Sequence, residues 1–215
     1  MSQQKNTGEA REKGSTRVFL AGAQVILRGL EDDDMDHVAR WVNHPDVTYT
    51  MFTGQRPMSQ AQVAAEWRRY LENPNHVVFL VEDRRTHRPL GLAGLYDIHP
   101  TGRKAEFRVL IGEKDFWNRG YGTEITELVT FYGFDRLNLN RVWLGVTAEN
   151  KGGVRAYEKA GFRKEGVLRQ DLYRNSRYYD TIRMSVLREE YYRDLYPRHV
   201  KRFRSGQAGT AKESA

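Results

Sequence analysis

The sequence first offers chemistry at Glu106-Phe-Arg-Val-Leu-Ile-Gly112 and, just after it, at Trp117-Asn-Arg-Gly-Tyr-Gly122. The first block reads as a strand. After the second, the apolar residues Ile125, Leu128, Val129 and Tyr132 recur at helical spacing. A glycine-rich turn that opens a helix leaves backbone N–H groups without intrahelical partners. Together with the helix dipole, those groups suit a phosphate or pyrophosphate. Gly120 and Gly122 let the backbone come close to an anion and adopt dihedrals that other residues avoid, and Arg119 adds a fixed positive charge beside them. Taken alone, the element fits an ordinary turn equally well. It lacks the third spaced glycine of a dinucleotide fingerprint and the Gly-Lys-Ser/Thr of a nucleotide-phosphate loop.

A second block narrows the reading. Thr147-Ala-Glu-Asn150 follows a strand, Tyr157-Glu-Lys-Ala-Gly-Phe162 begins seven residues after Asn150, and Glu165-Gly166 and Tyr179-Asp180 come later. Both blocks in this order resemble the GNAT acetyltransferases, within them the branch holding ribosomal-protein alanine acetyltransferases and spermidine acetyltransferases. The resemblance runs from about Gln24 to Leu187 and is strongest from Ala105 onward. It implies a GNAT fold, an α/β domain with a mixed, mostly antiparallel twisted sheet, splayed central strands and helices on both faces. It implies acetyl-CoA as cosubstrate, without a metal. The pyrophosphate would rest on the amides of Asn118, Arg119, Gly120, Tyr121, Gly122 and Thr123, with Trp117 flanking the CoA. The pantetheine would run along Leu110 and Ile111, where a backbone N–H would polarise the thioester carbonyl. Asn150 would hydrogen-bond the pantetheine arm and cap a short helix. The chain departs from the family in placing Trp117 where Gln or Arg is frequent, and Gly152 and Gly153 where better helix formers would serve.

Acyl transfer needs a neutral amine, so a base or a water relay must remove a proton, and the departing thiolate must gain one. By the same resemblance Tyr157 is the proton donor to the thiolate. Glu106 stands in the register where histone-acetylating relatives carry their base, and a cleft position would raise its pKa by partial burial. The alternatives are structural: Tyr157 as a core tyrosine, and Glu106 as a surface or cross-strand carboxylate paired with a basic neighbour. The six histidines show no metal-ligand spacing. His44, His76, His87 and His99 fall in loops or strand ends, and no Ser/His/Asp arrangement is visible. The acceptor site is expected from the loop Asn43–Ser59 and the final strands, with Thr48, Tyr49, Met51, Phe52 and Arg56 in it. Acidic residues are absent from Thr48–Gln62, which weighs against a polyamine.

The elements that must position these groups alternate strand and helix, the pattern of a mixed α/β domain. A strand at Gln24–Arg28 precedes the acidic cluster Glu31–Asp34, which offsets the dipole of a helix reaching about Val42. Asn43-His44-Pro45 ends that helix, and Ser59 with Gln62 forms a capping box for the next, to about Leu71. Val77–Glu82 and Leu90–Ile98 read as a hairpin, Glu106–Ile111 and Arg141–Val146 as strands, Gly120–Arg136 and Gly152–Ala160 as helices. Phe162–Leu172 and Tyr178–Leu187 read as a closing antiparallel pair.

The 215 residues suggest one domain with tails: a disordered segment over residues 1–22, the acetyltransferase domain over 23–187, and a C-terminal helical extension with a basic tail over 188–215. Cysteine is absent, which excludes disulfides, thiolate ligands and a cysteine nucleophile and fits a reducing cytoplasm. No apolar run reaches the roughly 18 residues of a membrane span, and Met1–Gly14 contains no apolar signal core. Of the net charge of +7, the first 22 residues carry +2 and residues 188–215 carry +3, so the body is nearly neutral. That distribution argues against a nucleic-acid partner, for which charge gathers on a structured face. The expected function is acetyl transfer from acetyl-CoA to a primary amine of a small molecule (a polyamine, amino sugar, antibiotic or amino-acid-like compound). The alternatives are N-terminal acetylation of a ribosomal or other protein, and a CoA-binding module without transfer activity. A nucleic-acid role would use Arg198, Lys201, Arg202 and Arg204. Relatives occur as monomers, dimers and larger rings, so a homo-oligomer is compatible with the resemblance.

Overall fold

The computed structural model describes residues 18–210, with side chains as far as residue 203. The first strand, β1 (Leu20–Ala21), pairs with β2 (Val25–Arg28). This corrects the expected boundary of the N-terminal tail: Leu20 is fully buried and Phe19 stacks 5.4 Å from Phe79, so the apolar run Phe19–Ala21 joins the sheet. Residues 1–17 of that tail, and residues 211–215 of the C-terminal one, lie outside the described residues.

The acidic cluster does the capping work expected of it. Asp32–Asp34 form a 3-10 turn leading into α1 (Met35–Val42). Asp34 accepts the Glu31 N–H at 2.8 Å and is gripped by both terminal nitrogens of Arg28 at 2.7 and 2.8 Å. His44 caps the single turn α2 (Pro45–Thr48) through Nδ1, which accepts the Asp46 N–H at 3.1 Å. Ser59 and Gln62 form the reciprocal capping box of α3 (Gln60–Glu72).

The remaining elements are β3 (Val77–Asp83), β4 (Pro89–His99), β5 (Lys104–Ile111), α4 (Tyr121–Asp135), β6 (Arg141–Thr147), α5 (Lys151–Lys159), β7 (Arg163–Arg174) and β8 (Arg177–Leu187). The short α6 (Arg188–Glu190), a π turn at Tyr191–Leu195 and α7 (Tyr196–Thr210) follow. The strands form one sheet in the order β1-β2-β3-β4-β5-β6-β8-β7. Every neighbouring pair is antiparallel except β5 with β6.

Strand periodicity sorts the side chains onto two faces. On β5, Ala105 and Phe107 face α4, whereas Glu106, Arg108 and Leu110 face the side covered by α1 and α3. The α4 side holds Leu27, Phe79, Leu95, Ile125, Leu128, Phe131, Val142 and Met184; the other holds Val38, Trp41, Val63, Leu80 and Leu92. Each large apolar side chain buried in these layers contributes about 1.5–3 kcal/mol. Because α4 is wedged between the sheet and α7, it is buried on nearly every side. Its two inward carboxylates are met from α7: Arg202 reaches Glu124 at 2.7 Å and Glu127 at 2.5 Å, and Arg198 reaches Glu127 at 3.1 Å. Arg198 and Arg202, expected from sequence in a solvated basic tail, therefore neutralise buried acids of the domain.

Candidate active site

The parallel pair β5 and β6 is joined only at Lys104↔Arg141, Ala105↔Val142 and Glu106↔Trp143. Beyond Glu106 and Trp143 the two strands part, while β5 stays paired with β4 to Ile111 and β6 with β8 to Thr147. The inner edge of β5 therefore carries backbone groups with no strand partner. Their direction follows from alternation. The Gly112 N–H donates to Leu90 O at 2.8 Å, toward β4. The Leu110 carbonyl also points to β4, 1.9 Å from where a Cβ on Gly91 would lie. Val109 and Ile111 thus turn their N–H and C=O groups to the gap. Of the two residues expected to meet a pantetheine, Ile111 faces the gap with its backbone and Leu110 faces the neighbouring strand.

At the mouth of the gap the chain passes through a 3-10 turn, Lys114–Phe116, and enters α4. Gly120 is the N-cap, with φ +87°, a left-handed conformation that favours glycine, and no side chain caps the helix. The first intrahelical bond runs from Glu124 N–H to Gly120 O at 3.1 Å, so the amides of Tyr121, Gly122 and Thr123 remain open. Asn118 (φ +58°) turns the loop, and Arg119 lies 5.8 Å over the Phe116 ring. Tyr121 is fixed by its hydroxyl, which donates to Asp83 Oδ2 at 2.7 Å. Trp117 donates Nε1–H to Ile111 O at 2.9 Å and packs against the α1–α3 layer, which ties the loop to the strand end.

Beneath the loop, Gly112 admits Trp41, since a Cβ there would sit 2.1 Å from two of its ring atoms. The Trp41 indole donates to the buried Glu113 at 2.8 Å, and Arg40 reaches the same carboxylate at 2.6 Å, with Arg88 on its other oxygen. Burial alone would raise the Glu113 carboxyl; the Trp41 hydrogen bond and the two guanidinium groups outweigh it and hold the group below its ordinary value.

Helix α5 closes the gap from the other side. Asn150 is its N-cap and accepts the Gly153 N–H at 2.8 Å. A Cβ on Gly153 would sit 2.8–3.0 Å from the Asn150 side chain, so the glycine that weakens the helix by propensity makes room for its cap. Asn118 Oδ1 lies 3.6 Å from the Cβ position of Gly152, and Ile111 and Ala156 lie 3.6 and 3.9 Å from that of Gly122. The two sequence blocks and the strand edge thus meet at one place. Tyr157, also on α5, has its ring 6.2 Å from both Phe107 and Phe162. Burial pushes its phenol up to about 12, and among the described residues its hydroxyl has no hydrogen-bond partner. Glu106 stands where the strands part, held by Arg108, whose Nε is 2.9 Å from Oε2. That is the basic-neighbour arrangement, and accepting a proton at Oε2 requires the pair to open.

The family model described as an acetyltransferase (GNAT) domain matches residues 24–163. The chain belongs to the GNAT family. It is 29% identical over 170 residues to a spermidine N(1)-acetyltransferase of Vibrio cholerae, covering 79% of this chain and 96% of the relative. It is 27% identical over 174 residues to the putative ribosomal N-acetyltransferase YdaF of Bacillus subtilis, covering 78% and 93%. The crystal structure of spermidine N-acetyltransferase from Vibrio cholerae in complex with CoA and spermine superposes with a TM-score of 0.72, at 29% identity over 78% of this chain and 98% of that one. The GNAT fold and an acetyl-CoA-dependent N-acetyltransferase activity, both expected from sequence, hold for this chain.

The open amides of α4, the unpaired β5 edge and the Asn150 cap fit the diphosphate and amide-bearing arm of the GNAT cosubstrate. The α1–α3 loop, where the acceptor site was expected, docks onto the β7–β8 hairpin. Arg174, buried, donates to the carbonyls of Thr48 and Thr53, and the Thr147 hydroxyl donates to Thr50 O at 3.2 Å. The Tyr49 and Tyr179 hydroxyls meet at 3.4 Å. Tyr49 and Phe52 on the loop side and Tyr173 and Tyr178 on the hairpin are exposed. Sequence reasoning missed Arg174 and the Trp41–Glu113 anchor. Neither has a spacing signal, because each joins elements far apart in the chain. Among the described residues no group of histidines and carboxylates is placed to hold a metal, and no helix is long and apolar enough to cross a membrane.

Proposed function

We propose that this GNAT enzyme transfers the acetyl group to the primary amine of a small molecule, with its pyrophosphate site on the amides of Asn118–Thr123. The observation that carries this reading is the parting of β5 and β6 beside three open helix amides. The thioester carbonyl would lie against the gap-facing N–H groups of β5, which stabilise the charge that grows on its oxygen when the amine attacks. The bond to sulfur then breaks. Tyr157, which keeps its proton through neutral pH, gives it to the sulfur and regains one from the new amide nitrogen. Glu106, or a water it holds, would take the proton of the incoming amine. Likeness to enzymes named for spermidine supports a small-molecule acceptor over a protein N-terminus, and the cysteine-free composition supports a cytoplasmic site of action.

The test is Tyr157→Phe, assayed by thiol release from acetyl-CoA and by CoA binding. Loss of a general acid lowers kcat about hundredfold or more, while the Kd for acetyl-CoA stays within about twofold of wild type. Unchanged kcat removes Tyr157 from the proton path.

A further inference from the structure

We infer that the acceptor carries an anionic group, a carboxylate or a phosphate, near its reacting amine, and that Arg183 receives it. The inference rests on the transferase reading above and narrows its acceptor. On the face of the sheet away from α4, Tyr96, Glu106 and Trp143 stand side by side on β4, β5 and β6, in register, at the last pairing before the strands part. A guanidinium stacks on each flank: Arg108 lies 4.7 Å over Tyr96 and Arg183 4.1 Å over Trp143. One terminal nitrogen of Arg183 is also 4.0 Å from the Cβ position of Gly145, which places the head group over the part of β6 that borders the gap.

The two arginines differ in what they hold. Arg108 is committed to Glu106 and, at 3.4 Å, to Asp97. Arg183 is half-buried, and among the described residues it forms no ion pair and donates no hydrogen bond. Its charge is felt by Glu165, but that carboxylate is bound by both terminal nitrogens of Arg141 and by the Ser185 hydroxyl. A guanidinium stacked on an indole is fixed in plane and keeps its edge donors for a planar or tetrahedral oxyanion. A polycation would need the reverse, carboxylates without partners. Here Glu106, Asp97 and Glu165 are engaged as described, Glu149 lies 3.9 Å from Arg177, and Asp180 accepts the Gln170 N–H at 2.9 Å. The loop Thr48–Gln62 contributes no acid.

The experiment is initial-rate thiol release from acetyl-CoA by the full chain, with an amino acid and its amide, an amino sugar and its phosphate ester, and spermidine. The expected result is a kcat/KM at least about tenfold higher for the anionic member of one pair than for its neutral partner, and higher than for spermidine. The pair that shows it tells carboxylate from phosphate. In R183M that preference should shrink tenfold or more, through KM, since one charged hydrogen-bonded contact is lost. R183K should keep part of it, and R183Q, which keeps donors without charge, should resemble R183M. Spermidine as the best acceptor, equal rates within both pairs, or a preference that survives R183M and R183Q overturns the inference and leaves the transferase reading standing. Absence of thiol release with all five amines overturns the transferase reading, and the inference with it.

Discussion

Replacing Gly120 by aspartate separates the anion site from the stability of the fold. The position is open: a Cβ there meets only Gln24 Nε2, at 3.7 Å. The backbone is left-handed at φ +87°, which costs about 1–2 kcal/mol for an L residue. Aspartate tolerates that region better than most residues, and its carboxylate can accept the open amides of Gly122 or Thr123 as an N-cap worth about 1 kcal/mol. The two effects nearly cancel, so Tm should move by no more than about 4 °C for a chain of this size. Binding should change far more. The new carboxylate occupies the amides meant for the pyrophosphate and stands about 5 Å from its charge, which at an effective dielectric of about 20 is about 3 kcal/mol of repulsion. The Kd for CoA should rise about hundredfold. Gly120→Ala carries the same strain without the charge, so its Tm should fall by a few degrees and its Kd should rise less than tenfold. Calorimetric titration with CoA and thermal melts of both variants decide the matter. A Kd for G120D within about threefold of wild type, or one no weaker than that of G120A, refutes the assignment of these amides to a diphosphate.

Gly112→Ala should lower Tm by about 10 °C, because a methyl driven into the Trp41 ring overpacks the core by about 3 kcal/mol and pulls the indole from Glu113; a melt within 2 °C of wild type would mean the ring has room to move. Arg202→Met leaves Glu124 short of its guanidinium and should destabilise by about 3 kcal/mol, with E124Q/R202M recovering most of the loss in urea titrations. Recovery should fail if α7 merely covers α4 without neutralising it. Acid should act through Glu127. Burial pushes its carboxyl up, but His199, 3.8 Å away, and the guanidinium groups of Arg202 and Arg198 outweigh burial and hold it below its ordinary 4.5. A depressed carboxyl adds stability that is complete above the ordinary value and is lost as pH falls through the folded one. The unfolding free energy should therefore fall below about pH 4.5, less steeply in R202M than in wild type. An identical slope in the two proteins would show that this network does not govern acid unfolding.

Most of the fold was legible because its local signals agree with its tertiary demands. The Ser59–Gln62 box, the stop at Asn43-His44-Pro45 and the helical spacing of Ile125, Leu128, Val129 and Tyr132 each report a periodicity or a cap fixed by neighbours in sequence. The N-terminal boundary was misplaced because β1 is two residues long, too short for alternation to register, and its strand is made by pairing with β2. The basic C-terminal residues read as solvated because charge along a helix says nothing about what it faces. Only the packing of α7 on α4 brings Arg198 and Arg202 to buried acids.

The proposed site divides along the same line. Its cosubstrate half is made of backbone, and a glycine turn before a helix or an asparagine before another is visible as residue type and spacing. Its acceptor half is made of side chains whose meaning depends on partners. Glu106 shows the limit: its register resembles that of a base, yet Arg108, two residues along the same strand, shares its face and holds Oε2, a partner that the sequence reading did not name. Arg183 is the converse. Nothing near it in sequence distinguishes it from the other arginines of β7 and β8. It matters because β8 lies beside β6, so that its guanidinium comes to rest on Trp143, one strand from Glu106, while the carboxylates of Glu106 and Glu165 are held by other arginines. In this chain, selection between acceptors depends on which charges are left over after the fold has paired the rest.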